Sequence, residues 1–185
     1  MATRKRGIRF QGSVYRAHNP EWSWDPLSGA GAKLHGGRFN RRGLAALYTS
    51  LDVLVAVREA SPLGAPFHPL TLCEYRVDCE GIFDTRDRKA MKREKVSKAE
   101  LECPSWNQEM LDGNVPASQQ LADRLIARGY VGMLVRSFAQ GVSPEDMNLV
   151  LWKWTKRRPH GYAVRSGSEV AEGWFVVGEV ACSNG

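Results

Sequence analysis

The stretch HGGRFNRRGLAALYTSLDVLVAVREA, residues 35–60, decides how the rest of the chain is read. It opens on Gly36-Gly37, a pair that reaches backbone angles closed to other residues and lets a ligand approach the main chain. Arg38 follows directly, and a guanidinium is a planar fork that suits phosphate. A glycine turn carrying a surface arginine would read the same, and neither a P-loop lysine motif nor GxGxxG accompanies it. Ala45–Tyr48 (AALY) reads as a short apolar strand. Its tyrosine either packs with the hydroxyl at the rim or stacks on a flat ligand ring. Thr49–Asp52 has the S/T-x-x-D spacing of a helix start, which predicts a helix from Leu51 to Ala60 that stops at Pro62. The middle of that helix, Val53–Val57, is apolar nearly all round, so burial is expected. Glu59 shares a face with Val55 and Leu51. A carboxylate on an apolar face is costly unless paired. It is therefore either a salt bridge, to Arg58 or to a distant arginine, or a functional group.

Working outward, Ser13–Ala17 (SVYRA) has strand character, and His18–Leu34 reads as a long loop carrying Trp22 and Trp24. Pro69–Val77 alternates as a strand, with Leu70 and Leu72 on one face and Cys73, Tyr75 and Val77 on the other. Thr85–Asn114 is charged and gives no assignment. Ser118–Arg128 is an amphipathic helix with Leu121 and Leu125 in line and Gly129 as its C-cap. Tyr130–Val135, Met147–Trp152 and Trp174–Ala181 read as strands, the first two buried. Strands outnumber helices without regular βαβ alternation, which predicts an α+β fold rather than a doubly wound sheet.

Composition narrows the class. A chain of 185 residues, 43% hydrophobic and 25% charged, is expected to form one domain over 1–185. No apolar run approaches the roughly 20 residues that span a bilayer. No apolar signal core follows the basic N-terminus, so a cytoplasmic protein is expected. The four cysteines form no CxxC pair and have no histidine cluster beside them. Reduced thiols and no metal are expected. A net charge of +6 points to an anionic partner. Arg86–Lys98 reads as a solvated helix face. Lys153–Arg158, beside Trp152 and Trp154, is a surface stretch or a nucleic-acid contact. Direct nucleic-acid binding would leave the Glu59 helix and the glycine–arginine loop unexplained.

In order along the chain stand Tyr15-Arg16, the HGGRFNRRGLAALYTS block, a helix ending in Glu59, GMLVRS at Gly132–Ser137 and Asn148-Leu149-Val150. Together they resemble the RES-domain family, which takes its name from an arginine, a glutamate and a serine. The resemblance spans Val14 to about Trp152 and leaves 153–185 as a C-terminal strand and basic segment. It implies a fold similar to ADP-ribosyltransferases, a split mixed and antiparallel sheet with surrounding helices. It implies a toxin of a type II toxin–antitoxin pair, with an Xre-family helix-turn-helix antitoxin as partner. The implied activity is depletion of NAD⁺, a substrate cleaved at its nicotinamide–ribose bond by water or by inorganic phosphate as co-substrate. Transfer of ADP-ribose to an acceptor protein is the alternative. By match of motif, Arg38, Tyr48 and Glu59 would be catalytic. Arg16, Arg38, Tyr48, Ser137 and Asn148 would bind NAD⁺. The resemblance has Arg16 and Arg38 grip the pyrophosphate, Tyr48 pack the nicotinamide, and Ser137 bond to ribose or nicotinamide. One departure stands out: a histidine is expected one turn after the glutamate, and Leu63 holds that position, with His68 off register. The acceptor of the ADP-ribose half therefore stays open.

Overall fold

The computed structural model describes residues 6–61, 68–157 and 175–182. Pro62, Leu63, Arg158 and Trp174 lie outside the described residues. Strand β1 (Ile8–His18) runs antiparallel along β3 (Thr71–Asp84), from Ile8 opposite Ile82 to His18 opposite Thr71. The β3 alternation holds: Cys73, Tyr75, Val77 and Cys79 are all buried. This strand then divides its loyalties. Its first part pairs in parallel with β7 (Phe175–Cys182), which pairs with β6 (Thr155–Arg157). Its last residues, Ile82–Asp84, pair in parallel with β4 (Gly132–Arg136). Gly81 sits at the changeover with φ +85°, in the left-handed region that favours glycine, and the β1 register slips between Ile8 and Arg9 beside it. From β4 the sheet continues antiparallel through β5 (Met147–Leu151) to β2 (Leu47–Ser50), and Tyr15 of β1 meets Ser50 of β2. The order β1-β2-β5-β4-β3-β7-β6 is a mixed sheet flanked by helices, the α+β class expected.

Both faces of the central strands are covered. Leu149 and Leu151 enter one core cluster with Val14, Tyr75 and Leu134. Val150 and Trp152 enter the other with Phe39, Phe83, Leu121 and Leu125. Burial on two sides is why β4 and β5 read as continuous apolar runs. Leu121 and Leu125 come from α6 (Ala117–Ala127), the helix expected there, with Gly129 at φ +88° beyond its end.

Several expectations need correction. The segment after β1 contains a 3₁₀ turn at Pro20–Trp22 and ends in helix α1 (Ala30–His35), so it is less irregular than read. Helix α2 is Val53–Ala60, and Asp52 is its N-cap, accepting from the backbone N–H of Leu54 and Val55. This helix is not buried all round: Val55 and Ala56 are buried, and Leu54 is 67% exposed. The unassigned middle folds as three short helices, α3 (Arg88–Arg93), α4 (Lys98–Glu102) and α5 (Trp106–Leu111). Asp87 caps α3, and a Ser97/Glu100 capping box starts α4. In the basic stretch most side chains face water, but Glu94 is buried. Trp152 is buried and donates its ring N–H to the Phe39 carbonyl; half-buried Trp154 donates to Leu27. These two rings pack inward, so they do not form the aromatic half of a nucleic-acid surface.

The cysteines also depart from expectation. Cys79 and Cys182 form a disulfide, while Cys73 and Cys103 are free and buried. Parallel pairing of β3 with β7 sets Cys79 directly opposite Cys182, a proximity that their sequence separation of 103 conceals. Among the described residues, no group of three or more His, Cys, Asp or Glu could hold a metal ion. No described helix is long and apolar enough to cross a membrane.

Candidate functional site

A cavity of about 510 Å³ opens where β1, the α1–β2 loop, β2, α2 and β5 converge. Arg16, Arg38, Tyr48, Glu59 and Asn148 all line it. Residues scattered over more than a hundred positions of sequence are thus brought to one wall.

The glycine pair has two different reasons. Gly36 ends α1 with φ +74°. Gly37 is needed for space: a Cβ there would lie 2.6 Å from the Tyr48 hydroxyl and 2.7 Å from Asn40 Oδ1. Asn40, fully buried, is a residue the sequence reading passed over. Its Nδ2 donates to the carbonyls of Ala32 (2.8 Å), Leu44 (2.9 Å) and Arg41 (3.1 Å). Its Oδ1 accepts from the Tyr48 hydroxyl at 2.8 Å, and that hydroxyl accepts from Phe39 N–H at 3.0 Å. A buried asparagine that satisfies so many partners pins the loop. The polar residue closing Gly-Gly-Arg-Phe-Asn was the available signal. The Tyr48 hydroxyl is pushed up by burial, with the Phe39 N–H pulling the other way. Tyr48 is therefore a neutral phenol with its hydroxyl committed, leaving the ring as the face it offers the cavity.

Arg38 is half-buried and held rather than loose on the surface. Its Nη1 donates to the carbonyls of Glu102 and Cys103 at the end of α4, the latter at 3.1 Å. The guanidinium lies 4.3 Å from the Phe138 ring centre and 5.6 Å from that of Trp106. Burial lowers its pKa, while Cys103, Glu59 and Tyr48 raise it; an arginine stays cationic regardless. Arg16 is placed the same way, with Nη1 donating to Pro26 O (3.0 Å) and Ser28 O (2.9 Å). Carbonyls orient both cations without neutralising their charge.

Glu59 differs from its expected environment. It is exposed to the cavity and not sunk in an apolar face. Neither anticipated salt bridge forms: Arg58 turns to the Gly141 carbonyl, and no described cation lies within ion-pair distance of Glu59. Two uncharged donors hold it instead. Ser137 Oγ and Asn148 Nδ2 each donate to Oε1 at 2.6 Å. Both bonds fall on one oxygen, so Oε2 has no protein donor among the described residues. The two donors are themselves fixed. Ser137 is 2% exposed and accepts from Ala139 N–H at 3.2 Å. Asn148 Oδ1 accepts from Ser50 Oγ at 2.8 Å, which sets which end of the amide meets Glu59. The β2–β5 register produces this, pairing Ser50 with Asn148 and Tyr48 with Val150 on one face. Ser137 thus turns toward the carboxylate, behind the cavity wall. Leu63 lies outside the described residues, and His68 is exposed.

The arrangement is two fixed cations, one aromatic face and one half-satisfied carboxylate around a common space. It suits a ligand that carries anionic groups, a planar ring and a centre where positive charge develops.

No curated protein matches this chain. Among solved structures it is similar to a chain of the M. tuberculosis MbcT–MbcA toxin–antitoxin complex, with 18% identity and a TM-score of 0.53, over 78% of this chain and 75% of that one. That likeness is one of fold. The family model described as the RES domain matches residues 13–175, which includes every cavity residue named above. The chain belongs to the RES domain family.

Proposed function

We propose that this protein is the toxin of a toxin–antitoxin pair and that it destroys NAD⁺ by breaking the nicotinamide–ribose bond. The observation that carries the reading is Glu59: a carboxylate held through one oxygen by neutral donors, in a cavity that also holds Arg16 and Arg38. Cleavage moves the bonding electron pair onto the nicotinamide ring nitrogen, and the ring leaves neutral. Positive charge then builds on the ribose, and a fixed carboxylate stabilises it. Since nicotinamide begins as a cation, no strong general acid is required. Arg16 and Arg38 hold the pyrophosphate and place the bond. Tyr48 packs the nicotinamide. Ser137 and Asn148 act through Glu59, fixing the oxygen they touch and leaving Oε2 for the ribose or the incoming nucleophile. Water would yield ADP-ribose and a proton; inorganic phosphate would yield ADP-ribose phosphorylated at the anomeric carbon. The partner would be an Xre-family antitoxin, as the family resemblance implies. The basic surface fits an acidic segment of such a partner.

The test is to incubate purified protein with NAD⁺, with and without phosphate, following nicotinamide release and the fate of labelled ADP-ribose. Nicotinamide release is expected. Phosphate-dependent release selects phosphorolysis, and label on protein selects ADP-ribosylation of an acceptor. Intact NAD⁺ under all conditions would overturn the reading.

A further inference from the structure

A second cavity, about 380 Å³, opens beside the first, and Arg16 and Gly31 line both. Its walls come from the segment after β1 and from α1. They carry Trp22, Trp24 and Leu34, which are 60%, 77% and 69% exposed. Two tryptophan faces at the mouth of a cavity leave apolar surface that a planar ligand would cover.

The segment that carries them is anchored. Arg16 binds the carbonyls of Pro26 and Ser28, the Tyr75 hydroxyl donates to Pro26 O at 2.6 Å, and Trp154 donates to Leu27 O at 3.1 Å. Ser23 and Thr71 join their hydroxyls at 2.6 Å. Between the cavities, Gly31 leaves the way open: a Cβ there would meet nothing within 4 Å.

We propose that this second cavity seats the adenine base of the dinucleotide, with Trp22 and Trp24 against the base and Arg16 holding the anionic linker at the junction. The proposal rests on the NAD⁺ reading above. A dinucleotide is two planar rings joined by a pyrophosphate, and here two cavities lined by aromatic side chains meet at a guanidinium. Arg16 spends Nη1 on both carbonyls, which fixes its plane at the junction. Stacking accepts any base, because every base offers a π face. Guanine in place of adenine should therefore be tolerated.

The experiment compares the parent with the Trp22→Ala/Trp24→Ala double variant on NAD⁺ and on nicotinamide mononucleotide, which has the scissile bond but lacks the adenylate half. The ratio of kcat/KM for NAD⁺ to that for the mononucleotide should fall about 10-fold in the double variant, through KM. Both side chains are exposed, so circular dichroism melting should match the parent. AMP should quench the tryptophan fluorescence of the parent and not that of the variant. An unchanged ratio in a parent that cleaves NAD⁺ overturns the proposal. If the variant then also loses its antitoxin, the tryptophans belong to a protein interface. A parent that leaves NAD⁺ intact overturns the reading of the reaction instead. The AMP titration then decides the cavity alone, quenching supporting it and silence overturning it.

Discussion

Glu59 and Glu94 are both carboxylates held by hydrogen bonds, in two regions that use them oppositely. Glu94, 3% exposed, is the residue that ends α3. Arg93 (3.1 Å), Arg128 and the Tyr130 hydroxyl (2.9 Å) engage both of its oxygens. Burial alone would raise its pKa, but the bonds from Arg128, Arg93 and Tyr130 outweigh this and hold it below the usual carboxylate range. Its charge is already neutralised where it stands. Glu59 has only uncharged donors, on one oxygen, and faces a cavity. A carboxylate matched to cations tightens the fold and has little field left for anything else. One oriented by neutral dipoles keeps its field for a ligand.

The sharpest way to break this contrast is Glu59→Gln, which keeps the shape and removes the charge. NAD⁺ turnover should fall about 10²- to 10³-fold, and the melting temperature should stay within about 2 °C of the parent. A variant as active as the parent would show that the field of Glu59 is not used. Glu94→Ala should do the reverse. Loss of about 2–3 kcal/mol of unfolding free energy is expected in urea titrations, below the full cost of a broken buried pair because Arg93 and Arg128 are 55% and 38% exposed. Turnover per folded molecule should be unchanged.

The sign of the pH effect follows from the depressed pKa of Glu94. Its contribution is present above the ordinary carboxylate value of 4.5 and is lost as pH falls through the lower folded value. Between 4.5 and that lower value the loss of stability with falling pH should accordingly be shallower in Glu94→Gln, and a profile identical to the parent's would mean that Glu94 is not the group being titrated. The smallest effect is the positioning one. Ser137→Ala removes one of two donors to Glu59 and should cost about 10-fold in turnover. Asn148→Ala should behave alike. The double variant should lose less than the product of the two, since both act through the same oxygen; independent losses would mean that one of them touches the ligand directly.

Much of the fold was legible. The alternation of β3, the apolar runs of β4 and β5 and the Leu121–Leu125 stripe of α6 are local periodicities, and a covered face imposes them directly on the sequence. The middle, 85–114, was not legible, because its three helices are only five or six residues long, too short to carry a periodic apolar stripe; α3 and α4 start on side-chain caps, and α4 packs against α6. Glu59 was singled out for a reason that failed. It was expected on a buried face, whereas among the described residues the buried glutamate is Glu94, hidden in a stretch that reads as solvated.

The sequence by itself determined the class of fold, the family resemblance and which residues from Arg16 to Asn148 are candidates for the site, since these depend on residue type, order and spacing. Only the tertiary structure decided what each touches. It turned Ser137 and Asn148 onto one oxygen of Glu59, spent the Tyr48 hydroxyl on Asn40, and joined Cys79 to Cys182. The physical reason is common to all of these. A hydrogen bond or disulfide between segments many tens of residues apart is set by strand register and by which faces the packing covers, and neither leaves a periodic mark on the chain.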